Sequence, residues 1–471
     1  MSDPDRHGRA AIVILAAGKG TRMVSALPKP LHPVAGLPMV AHVLAAAAAA
    51  DPVATVLVVS PELADLPKRI GAGDGVSAVI QDPPLGTGDA VRRALPAVAG
   101  ADWLLVFFAD HPRLDPVTVR ALLDGARDAG ARVTILTAML PDPAGYGRID
   151  RDADGRVVRI VERKDDDPAR RTGLVEINSG MMAIDGRWAA GAFERLTPSP
   201  ATGEVYLTEL VELAAADGPL AGGGWPVAAV AANPRVALGI NDRVELAAAD
   251  ADLRQRIRER HMRAGVTIVG PETVFIDEGV VIGPDTTILP GCVLTGATAV
   301  GSGCEIGPYA VLRNARIGDG VRVAATVVAD ESLEDGADAG PWSHLRGGTE
   351  IAAGAHVGNF VEMKNSRLGA GAKSGHVSYL GDATIGARAN IGAGTITANW
   401  DGVAKHRTEI GDDAFIGSDT VLRAPVAIGA GARTGAGAVV LTDVPPGATV
   451  AGVPAKPIGR PAAAAEGEHD G

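Results

Sequence analysis

The sequence predicts two domains of different fold class, an α/β domain with a mostly parallel sheet and, after it, a left-handed parallel β-helix. A six-residue repeat runs from about Gly265 to Pro454. Before about residue 240, short aliphatic runs alternate with helical stretches, and a charged helical segment lies between the two regions. At 471 residues the chain is long enough for two large cores. We expect an α/β domain at 1–240, a linker helix at 241–263, the β-helix at 264–455 and a disordered tail at 456–471.

The order of elements in the first half predicts the α/β domain. Aliphatic runs at 11–17, 54–60, 103–108 and 133–138 have the character of strands, and an alanine-rich helix is expected through Ala50. Strands that alternate with helices form a parallel sheet with helices on both faces. Because ligands on such sheets bind at the carboxyl ends of the strands, the loops after these runs are expected to form a site.

A long helix is expected to connect the two domains. Between Arg243 and Arg263 charged residues dominate, and the apolar residues recur at helical spacing. After Pro457 the chain has no apolar run, which predicts the disordered tail.

The six-residue repeat predicts the β-helix. Each repeat has an Ile, Val or Leu, then Gly, then a small or acidic residue, as at 282–288. The aliphatic residue fills the interior of a prism, and the glycine permits a sharp corner. Each coil buries its apolar side only against its neighbours, so the domain grows as a stack of about ten coils if a coil takes about three repeats.

Composition excludes several classes of function. The net charge of -12 and the pI near 5.3 argue against general binding of nucleic acid. Cys292 and Cys304 lie inside the repeat, where they are expected to be small buried hydrophobes in a reducing compartment. The first residues lack the apolar core of a secretory leader, and no run is long enough to span a membrane. We therefore expect a cytoplasmic protein with no membrane partner.

Lysine is rare in this chain, with eight lysines among 44 basic residues. A lysine offers a compact point charge that arginine does not replace, so each retained lysine is a candidate for a specific role. Lys68 and Lys164 are expected to be ordinary surface charges, and several of the others lie in the motifs described next.

A glycine-rich segment follows the first predicted strand, at 15–23, and a proline-rich segment follows it at 27–32. A glycine-rich turn between a strand and a helix points backbone N–H groups at an anion, and Lys19, Arg22 and Lys29 can neutralise a polyphosphate. The segment is neither a Rossmann fingerprint nor a Walker A loop, because it lacks the glycine and hydroxyl spacing of both. It predicts a nucleotide site.

Polar segments interrupt the coils of the β-helix at 345–348, 357–365, 374–382, 390–395 and 397–402. The repeat itself does not need these side chains, which indicates a second site built on the scaffold.

Both motifs, with further strings at 81, 85–88, 145–149, 160–162, 176–178 and 239–241, closely resemble a family of bifunctional bacterial enzymes. These enzymes combine N-acetylglucosamine-1-phosphate uridylyltransferase with glucosamine-1-phosphate N-acetyltransferase, and the resemblance covers about Ala11 to Pro454. It implies a Rossmann-like nucleotidyltransferase domain before the β-helix. It also implies acetyl transfer from acetyl-CoA to glucosamine 1-phosphate, then magnesium-dependent uridylyl transfer from UTP with release of pyrophosphate.

The resemblance implies how the first site works. Uridylyl transfer to a sugar 1-phosphate needs charges held in line and little covalent help from the protein. Asp110 and Asn241 would hold a magnesium ion through hard oxygen atoms, and the cations Lys29 and Arg22 would steady the triphosphate. The implied uridine contacts are Leu15, Ala16, Ala17, Gly18, Gln81, Gly86 and Thr87, and the implied sugar contacts are Gly147, Glu162 and Asn178.

One departure from the family lies in this site. Where the family usually has Tyr-Gly-Asp, this chain has Phe108, Ala109 and Asp110, so a methyl group stands beside the expected sugar and a hydroxyl group is absent. Altered sugar specificity or rate is one interpretation. A local adjustment with intact activity is the one we favour, because the other groups of the site are present.

The resemblance also assigns the acetyl site. Acetyl transfer from a thioester to an amine needs a base for the ammonium proton and cations for the substrate phosphate. His376 would be the base, and Arg346 and Lys364 would bind the phosphate. Lys405 would reach that phosphate from a neighbouring subunit, because β-helices of this kind form homotrimers with sites between subunits. The residues around the sugar and its amine would be Tyr379, Asn390 and Asn399.

Acetyl-CoA is expected along a further set of residues, with two departures from the family. Trp400 replaces a usual tyrosine and keeps a flat surface. Gly452 stands where an arginine often contacts the cofactor, and Lys456 is expected to take over that phosphate contact. The implied contacts are Ala393, Asn399, Trp400, Ser418, Ala436, Gly452 and Lys456.

Two other interpretations remain open on the sequence. The chain could be a single-function sugar nucleotidyltransferase whose β-helix serves only assembly or regulation, although such a scaffold has no use for His376, Tyr379 and Asn399. It could also be a β-helical binding subunit with inactive sites. The intact cationic loop, with Asp110 and Asn241, argues against that interpretation, since an unused site would keep like charges together without benefit.

Overall fold

The computed structural model describes residues 8–143, 145–162, 173–200 and 202–458. The chain divides into two compact units, Met1–Leu253 and Arg254–Gly471. The predicted surface charge Lys164 and most of the predicted tail lie outside the described residues.

The first unit is built on a nine-stranded sheet with the path β11-β7-β10-β6-β1-β4-β5, to which the hairpin β8–β9 adds through β10. Strand β10 runs antiparallel to β6 and β7, whereas the other neighbours along the path are parallel. The strands are β1 (Ala10–Leu15), β2 (Pro33–Val34), β3 (Leu37–Pro38), β4 (Ala54–Val59), β5 (Val76–Ile80), β6 (Trp103–Phe108), β7 (Val133–Leu140), β8 (Arg148–Arg151), β9 (Val157–Val161), β10 (Val175–Asp185) and β11 (Val227–Ala231).

Helices cover both faces of this sheet, so the predicted α/β class is confirmed. Buried residues alternate along β1: Val13 belongs to the apolar core on one face and Ile12 and Ile14 to the core on the other. The helices are α1 (Met39–Ala47), α2 (Leu66–Arg69), α3 (Thr87–Ala94), α4 (Pro116–Ala129), α5 (Gly186–Arg195), α6 (Glu209–Ala216), α7 (Pro234–Ala237) and α8 (Arg243–Arg263).

The segment after β1 differs from the expected turn followed directly by a helix. It contains two short 3-10 turns, Thr21–Met23 and Lys29–Leu31, and the small hairpin β2–β3, and helix α1 begins only at Met39. Prolines between Pro28 and Pro38 remove backbone donors that an α-helix needs. The glycine-rich segment is therefore a loop at the carboxyl end of β1, not a helix N-terminus.

Helix α8 contains the division between the two units, at Leu253 and Arg254. In its first half, Asp252 pairs with Arg113 (3.0 Å). In its second half, Arg254 pairs with Asp277 (3.1 Å) at the first coil of the β-helix. Each half thus belongs by its contacts to its own unit.

The second unit is a stack of coils with parallel walls, which confirms the predicted β-helix. One wall has nine strands in the order β14-β17-β20-β23-β26-β28-β30-β33-β36, and the remaining strands form a continuous twenty-stranded path. Buried aliphatic residues lie in register from coil to coil, as Ile282, Val300 and Ile317 do. The strands are β12 (Thr267–Ile268), β13 (Phe275–Ile276), β14 (Val281–Ile282), β15 (Thr287–Ile288), β16 (Val293–Thr295), β17 (Ala299–Val300), β18 (Glu305–Ile306), β19 (Val311–Arg313), β20 (Arg316–Ile317), β21 (Arg322–Val323), β22 (Val327–Ala329), β23 (Ser332–Leu333), β24 (Asp338–Ala339), β25 (His344–Arg346), β26 (Glu350–Ile351), β27 (His356–Lys364), β28 (Arg367–Leu368), β29 (Lys373–Gly381), β30 (Ala383–Ile385), β31 (Asn390–Ile391), β32 (Ile396–Ala398), β33 (Thr408–Ile410), β34 (Phe415–Ile416), β35 (Val421–Arg423), β36 (Val426–Ile428), β37 (Arg433–Thr434), β38 (Val439–Val440), β39 (Thr449–Ala451) and β40 (Lys456–Pro457).

The coils are not all of the same length. Thr384 lies 17 residues after its partner Arg367, but its next partner, Glu409, lies 25 residues further on. The extra residues form a loop that leaves the stack after β32 and returns at β33. This loop carries Trp400 and Lys405, two of the residues predicted for the acetyl site.

Among the described residues, no helix combines the length and the apolar character that crossing a membrane requires.

Candidate functional site

The first unit has an open cavity of about 640 Å³ at the carboxyl ends of β1 and β6. Its position is the one expected for a ligand on a sheet of this kind. The cavity brings together most of the residues predicted for the uridylyl site. They are Leu15, Ala16, Ala17, Gly18, Arg22, Lys29, Gln81, Gly86, Thr87, Phe108, Ala109, Asp110 and Asn241.

Asp110 is the charged centre of this cavity. Its carboxylate forms an ion pair with Lys29, and its Oδ1 lies 2.9 Å from Nδ1 of His111. Burial by itself would raise the pKa of Asp110, but the hydrogen bond with His111 and the nearby charge of Lys29 hold the pKa far below its usual value. The carboxylate is therefore ionised at any pH near neutrality.

A second pair lies beside the first. The backbone N–H of Ile240 donates to the carbonyl oxygen of Asp110 (2.9 Å), which brings the loop before α8 against the end of β6. In this loop Asn241 accepts a hydrogen bond from the guanidinium of Arg22 (2.8 Å) through its Oδ1. The two predicted cations thus contact the two predicted metal ligands.

The Phe108 and Ala109 departure has a simple structural description. Ala109 is 2 % exposed and packs in the apolar core with Ala16 and Leu114, so its methyl group is buried in the core although the residue also lines the cavity. The ring of Phe108 lies over Gly180, where an added Cβ would come within 2.8 Å of it. Both residues line the cavity, and the methyl group of Ala109 is accommodated by the core.

Three predicted uridine contacts also fix the loop at 81–88. Gln81 is buried, and its amide donates to the carbonyl oxygen of Gly86 (2.9 Å) and to Asp89 (3.0 Å). Gly86 has a φ of 103°, and an added Cβ would lie 2.5 Å from the carbonyl oxygen of Val205, so this position requires glycine. The hydroxyl of Thr87 accepts the N–H of Leu207 (3.0 Å).

The three predicted sugar contacts form a separate group near the cavity. The N–H of Asn178 donates to the carbonyl oxygen of Gly147 (2.8 Å), and a Cβ added to Gly147 would lie 3.7 Å from a carboxylate oxygen of Glu162. Glu162 accepts a hydrogen bond from the hydroxyl of Thr208 (3.1 Å). They are brought together with one another and are not among the residues that line the cavity.

The segment between α5 and α6 was not predicted as part of the site. Glu204 and Tyr206 line the cavity, and Val205 pairs by its backbone with Leu85 and Gly88. The available signal was a glutamate and a tyrosine in a non-helical stretch before a helix, which a single sequence does not distinguish from an ordinary loop.

The second candidate site lies on three adjacent strands of the β-helix, β25, β27 and β29. The register stacks Arg346 on Lys364 and Lys364 on Gly381, and two residues earlier on the same strands it stacks Glu362 on Tyr379. Asn359 is the partner of His376 on the same two coils. Residues that are far apart in sequence therefore form one surface.

His376 has its imidazole oriented by Asn359, a contact that the sequence analysis did not identify. Nδ1 lies 2.7 Å from Oδ1 of Asn359. Because a carbonyl oxygen can only accept, this contact favours the neutral tautomer that carries its hydrogen on Nδ1, and in that tautomer Nε2 has a free lone pair. His376 is exposed, so this lone pair is open to a substrate.

Tyr379 and Asn399 converge above Gly381. A Cβ added there would lie 2.5 Å from the hydroxyl of Tyr379 and 2.8 Å from the amide nitrogen of Asn399. The buried carboxylate of Asp382 accepts hydrogen bonds from Asn399 (2.5 Å) and Asn365 (2.6 Å). Asp382 thus ties the long loop to the coil below it, a role that no sequence motif indicated.

A cluster of cations lies next to these groups. The side-chain contact with Lys405 and the repulsion between these two like charges lower the pKa of Lys364, and desolvation and the charge of Arg346 lower it further. Arg346 also donates through Nε to Glu362 (2.9 Å). Lys405 was expected to reach this place from a neighbouring subunit, yet it already lies beside Lys364 of its own chain. Such a cluster of cations at a surface is suited to a phosphate.

Asn390 lies apart from this group. Its register partner is Lys373, which precedes Tyr379 by six residues on β29. The single chain therefore does not bring Asn390 beside Tyr379.

Four of the residues predicted for acetyl-CoA form a column at one corner of the upper coils. An added Cβ at Gly392 would contact the nitrogen of Ser418, and one at Gly417 would contact the nitrogen of Ala436, so Ala393, Ser418 and Ala436 follow one another up the stack. The register of β37 with β39 places Gly452 next in this column.

Two further residues predicted for acetyl-CoA, Trp400 and Lys456, lie outside the residues of this column. Trp400 is 57 % exposed and bridges to Lys405 across the loop, where Asp401 accepts the N–H groups of Val403 and Ala404. Those N–H groups and His406 hold the pKa of Asp401 below its usual range. Lys456 pairs with Ala451, the residue before Gly452.

Comparison with known proteins agrees with this division into two sites. The model of the MobA-like NTP transferase domain family matches residues 12–148, and that of the bacterial transferase hexapeptide family matches 279–314 and 407–442. "Bifunctional protein GlmU" of Alkalilimnicola ehrlichii is 46 % identical over 441 residues, which cover 92 % of each chain. The protein of the same name from Pelobacter propionicus is 45 % identical and covers 93 % of this chain and 94 % of its own. That of Nocardia farcinica is 44 % identical and covers 96 % and 92 %. The resemblance inferred from the motifs is confirmed.

Proposed function

This chain belongs to the bifunctional GlmU family, and from that premise we propose that its two sites make UDP-N-acetylglucosamine in two steps. The chain is a bifunctional enzyme with a nucleotidyltransferase unit and a hexapeptide-repeat acyltransferase unit. The second unit transfers an acetyl group from acetyl-CoA to glucosamine 1-phosphate. The first unit then joins the product to the uridylyl group of UTP and releases pyrophosphate.

The observation that carries the uridylyl step is the pairing of Lys29 with Asp110 and of Arg22 with Asn241 inside one cavity. When UTP enters, the phosphates offer the two cations a better partner, and the two oxygen ligands are released. Catalysis then depends on positioning and on charge, as phosphoryl chemistry requires, with the sugar phosphate oxygen attacking the α-phosphorus while pyrophosphate leaves.

Asp110 and Asn241 fit a magnesium ion. Among the described residues no group of three His, Cys, Asp or Glu could hold a metal. Magnesium prefers few protein oxygens and completes its shell with water and substrate phosphates, which matches one carboxylate and one amide oxygen beside a triphosphate site. The ion would neutralise phosphate charge, and Asp110 is ionised and ready for it.

His376 acts as the base of the acetyl step. Its Nε2 takes a proton from the ammonium group of the sugar, the free amine attacks the thioester carbon, and the thiol of coenzyme A leaves. Asn359 keeps the imidazole in the required tautomer. Arg346, Lys364 and Lys405 bind the phosphate of the sugar.

We also propose that three copies of the β-helix assemble with the acetyl sites between them. Tyr309, Trp342, Phe360 and Val377 are more than half exposed, and the register puts them at one corner of the stack. A row of large exposed apolar side chains favours a protein interface. Because Phe360 and Val377 are sequence neighbours of Asn359 and His376, assembly there would shield the base from water. The cytoplasmic location remains a prediction.

Two variants test the assignment of one activity to each unit. Lys29→Ala should abolish uridylyl transfer and leave acetyl transfer unchanged, whereas His376→Ala should lower kcat of acetyl transfer by about a hundredfold or more and leave uridylyl transfer unchanged. Both activities are measured on each purified variant with separate substrates. Loss of both activities in either variant would contradict independent sites, and retention of both would contradict the assigned roles.

A further inference from the structure

One buried carboxyl group in the β-helix has no role in the sites described above. In the nine-stranded wall, seven successive coils carry a buried residue either directly before the strand or at its first position, and these residues are in register with one another. Six of the seven are small, and the seventh is a glutamate that is 4 % exposed. In order up the stack they are Thr298, Ala315, Glu331, Thr349, Ser366, Ala383 and Thr408.

The carboxyl group of Glu331 reaches the next coil. Its Oε1 accepts the backbone N–H of Gly348 (3.0 Å), and its Oε2 is buried without a hydrogen-bond partner in the described structure. Burial raises the pKa of Glu331 to about 7, although the N–H groups of Gly348 and Thr349 favour the charged form. A buried carboxyl group with an unpaired oxygen lowers the stability of the folded β-helix, so its presence indicates a role other than stability.

The turn that Glu331 contacts has one residue more than the turn on its own coil. Three residues separate β25 from β26, whereas two separate β22 from β23. The added residue, Gly348, has a backbone N–H group that donates to the Glu331 side chain and not to a backbone carbonyl oxygen of the adjacent coil. Gly347 and Gly348 have positive φ values of 71° and 87°. Because glycine has access to many backbone conformations, this turn needs a contact from another residue to hold one of them.

In a second turn of the same length, the extra backbone N–H group also finds its hydrogen-bond partner in a side chain of the adjacent coil. Between β16 and β17, the N–H of Ala297 donates to the side chain of Asn314 on the adjacent coil (3.0 Å). Corner side chains are also linked from coil to coil, as Asn314 is to Asp330 (2.8 Å). Gly347 occupies the next corner position and has no side chain, so this chain of contacts cannot continue through it.

Arg346 is the residue that this turn presents. It ends β25 directly before Gly347, and its carbonyl oxygen closes the turn by accepting the hydroxyl of Thr349 (2.9 Å) and the N–H of Asn365 (3.2 Å). A shift of the two glycines would move the start of the Arg346 side chain relative to Lys364.

We propose that Glu331 is a positioning residue of the acetyl site, whose hydrogen bond to Gly348 fixes the turn that aims Arg346 at the phosphate of the sugar. This inference rests on the acetyl transfer proposed above. Glu331 does not touch substrate; it acts through Arg346.

The test compares two substitutions at this position. Glu331→Thr introduces the residue type found in neighbouring coils and cannot reach Gly348, whereas Glu331→Gln keeps an oxygen acceptor at the same distance. Glu331→Thr should raise the KM for glucosamine 1-phosphate about tenfold, with kcat and the KM for acetyl-CoA nearly unchanged, as expected for one positioning hydrogen bond. Glu331→Gln should restore the KM to within about twofold of the parent enzyme.

Thr298→Ala provides the control, since it alters the same column two coils earlier and should leave the KM unchanged. The KM for acetyl-CoA of the same variants reports on the integrity of the β-helix. An unchanged KM in Glu331→Thr, or a KM in Glu331→Gln as high as in Glu331→Thr, would overturn the positioning role while the proposed function stands. A parent enzyme that does not acetylate glucosamine 1-phosphate would overturn both.

Discussion

Replacing Glu331 with glutamine should stabilise the β-helix at high pH and hardly affect it at low pH. The pKa of this carboxyl group rises from 4.5 in the unfolded chain to about 7 in the folded one. Below pH 4.5 the carboxyl group is protonated in both the folded and the unfolded state, so its ionisation does not affect the free energy of unfolding. As the pH rises through this window the unfolded state loses its proton first, so the folded state loses stability until the pH passes about 7.

The size of the effect follows from the pKa difference. A shift of one unit corresponds to ~1.4 kcal/mol, so ionisation of Glu331 costs the folded state about 3 kcal/mol above neutrality. Glutamine has no ionisation to disfavour. The stability difference between Glu331→Gln and the parent protein should therefore grow by about this amount between low pH and about pH 8.

Scanning calorimetry of the β-helix transition measures this difference. Protein concentration must be held constant, because association shifts the apparent stability. The quantity to compare is the change of the difference with pH, since the new amide group adds a constant contribution of its own. A difference that stays the same across the range would refute the view that Glu331 is buried in an environment that disfavours its charge.

Three further predictions concern the two sites. Asn359→Ala should lower kcat of acetyl transfer about tenfold and His376→Ala by about a hundredfold or more, because the first substitution removes only the orientation of the base. Steady-state kinetics on both variants measures the two effects, and effects of equal size would contradict the orienting role of Asn359. Ala109→Gly should leave the KM for N-acetylglucosamine 1-phosphate unchanged and lower the melting temperature, since the methyl group packs in the core. A changed KM would show that the methyl group contacts the sugar. Lys456→Ala should raise the KM for acetyl-CoA if this lysine replaces the arginine absent at Gly452, and an unchanged KM measured by thiol release would remove that role.

The sequence was most informative where a local pattern determines the structure. The strand at 103–108 coincides with β6, and the six-residue repeat predicted the β-helix because each repeat carries its own apolar residue and corner. The alanine-rich run forms helix α1 and a 3-10 turn that ends at Ala50, as expected. Helix α1 begins only at Met39, because the prolines between Pro28 and Pro38 exclude a helix directly after the glycine-rich segment.

The contacts that orient site residues were not predictable in this way. Asn359 meets His376, and Asp382 meets Asn399, only because of the register between coils, which depends on turn lengths that vary by single residues. The same is true of Glu331, whose partner Gly348 exists because one turn is longer than its neighbour. Side-chain pairs across 17 residues leave no periodic signal in a single sequence.

The most direct test of the two-step function is an assay of the purified protein with glucosamine 1-phosphate, acetyl-CoA, UTP and magnesium, with mass spectrometry of the sugar products and each component omitted in turn. The structure and its family predict UDP-N-acetylglucosamine only when both cosubstrates are present, and N-acetylglucosamine 1-phosphate alone when UTP is omitted. A sugar nucleotide formed without acetyl-CoA, or no acetylated sugar under any condition, would contradict a bifunctional enzyme with an active β-helix site.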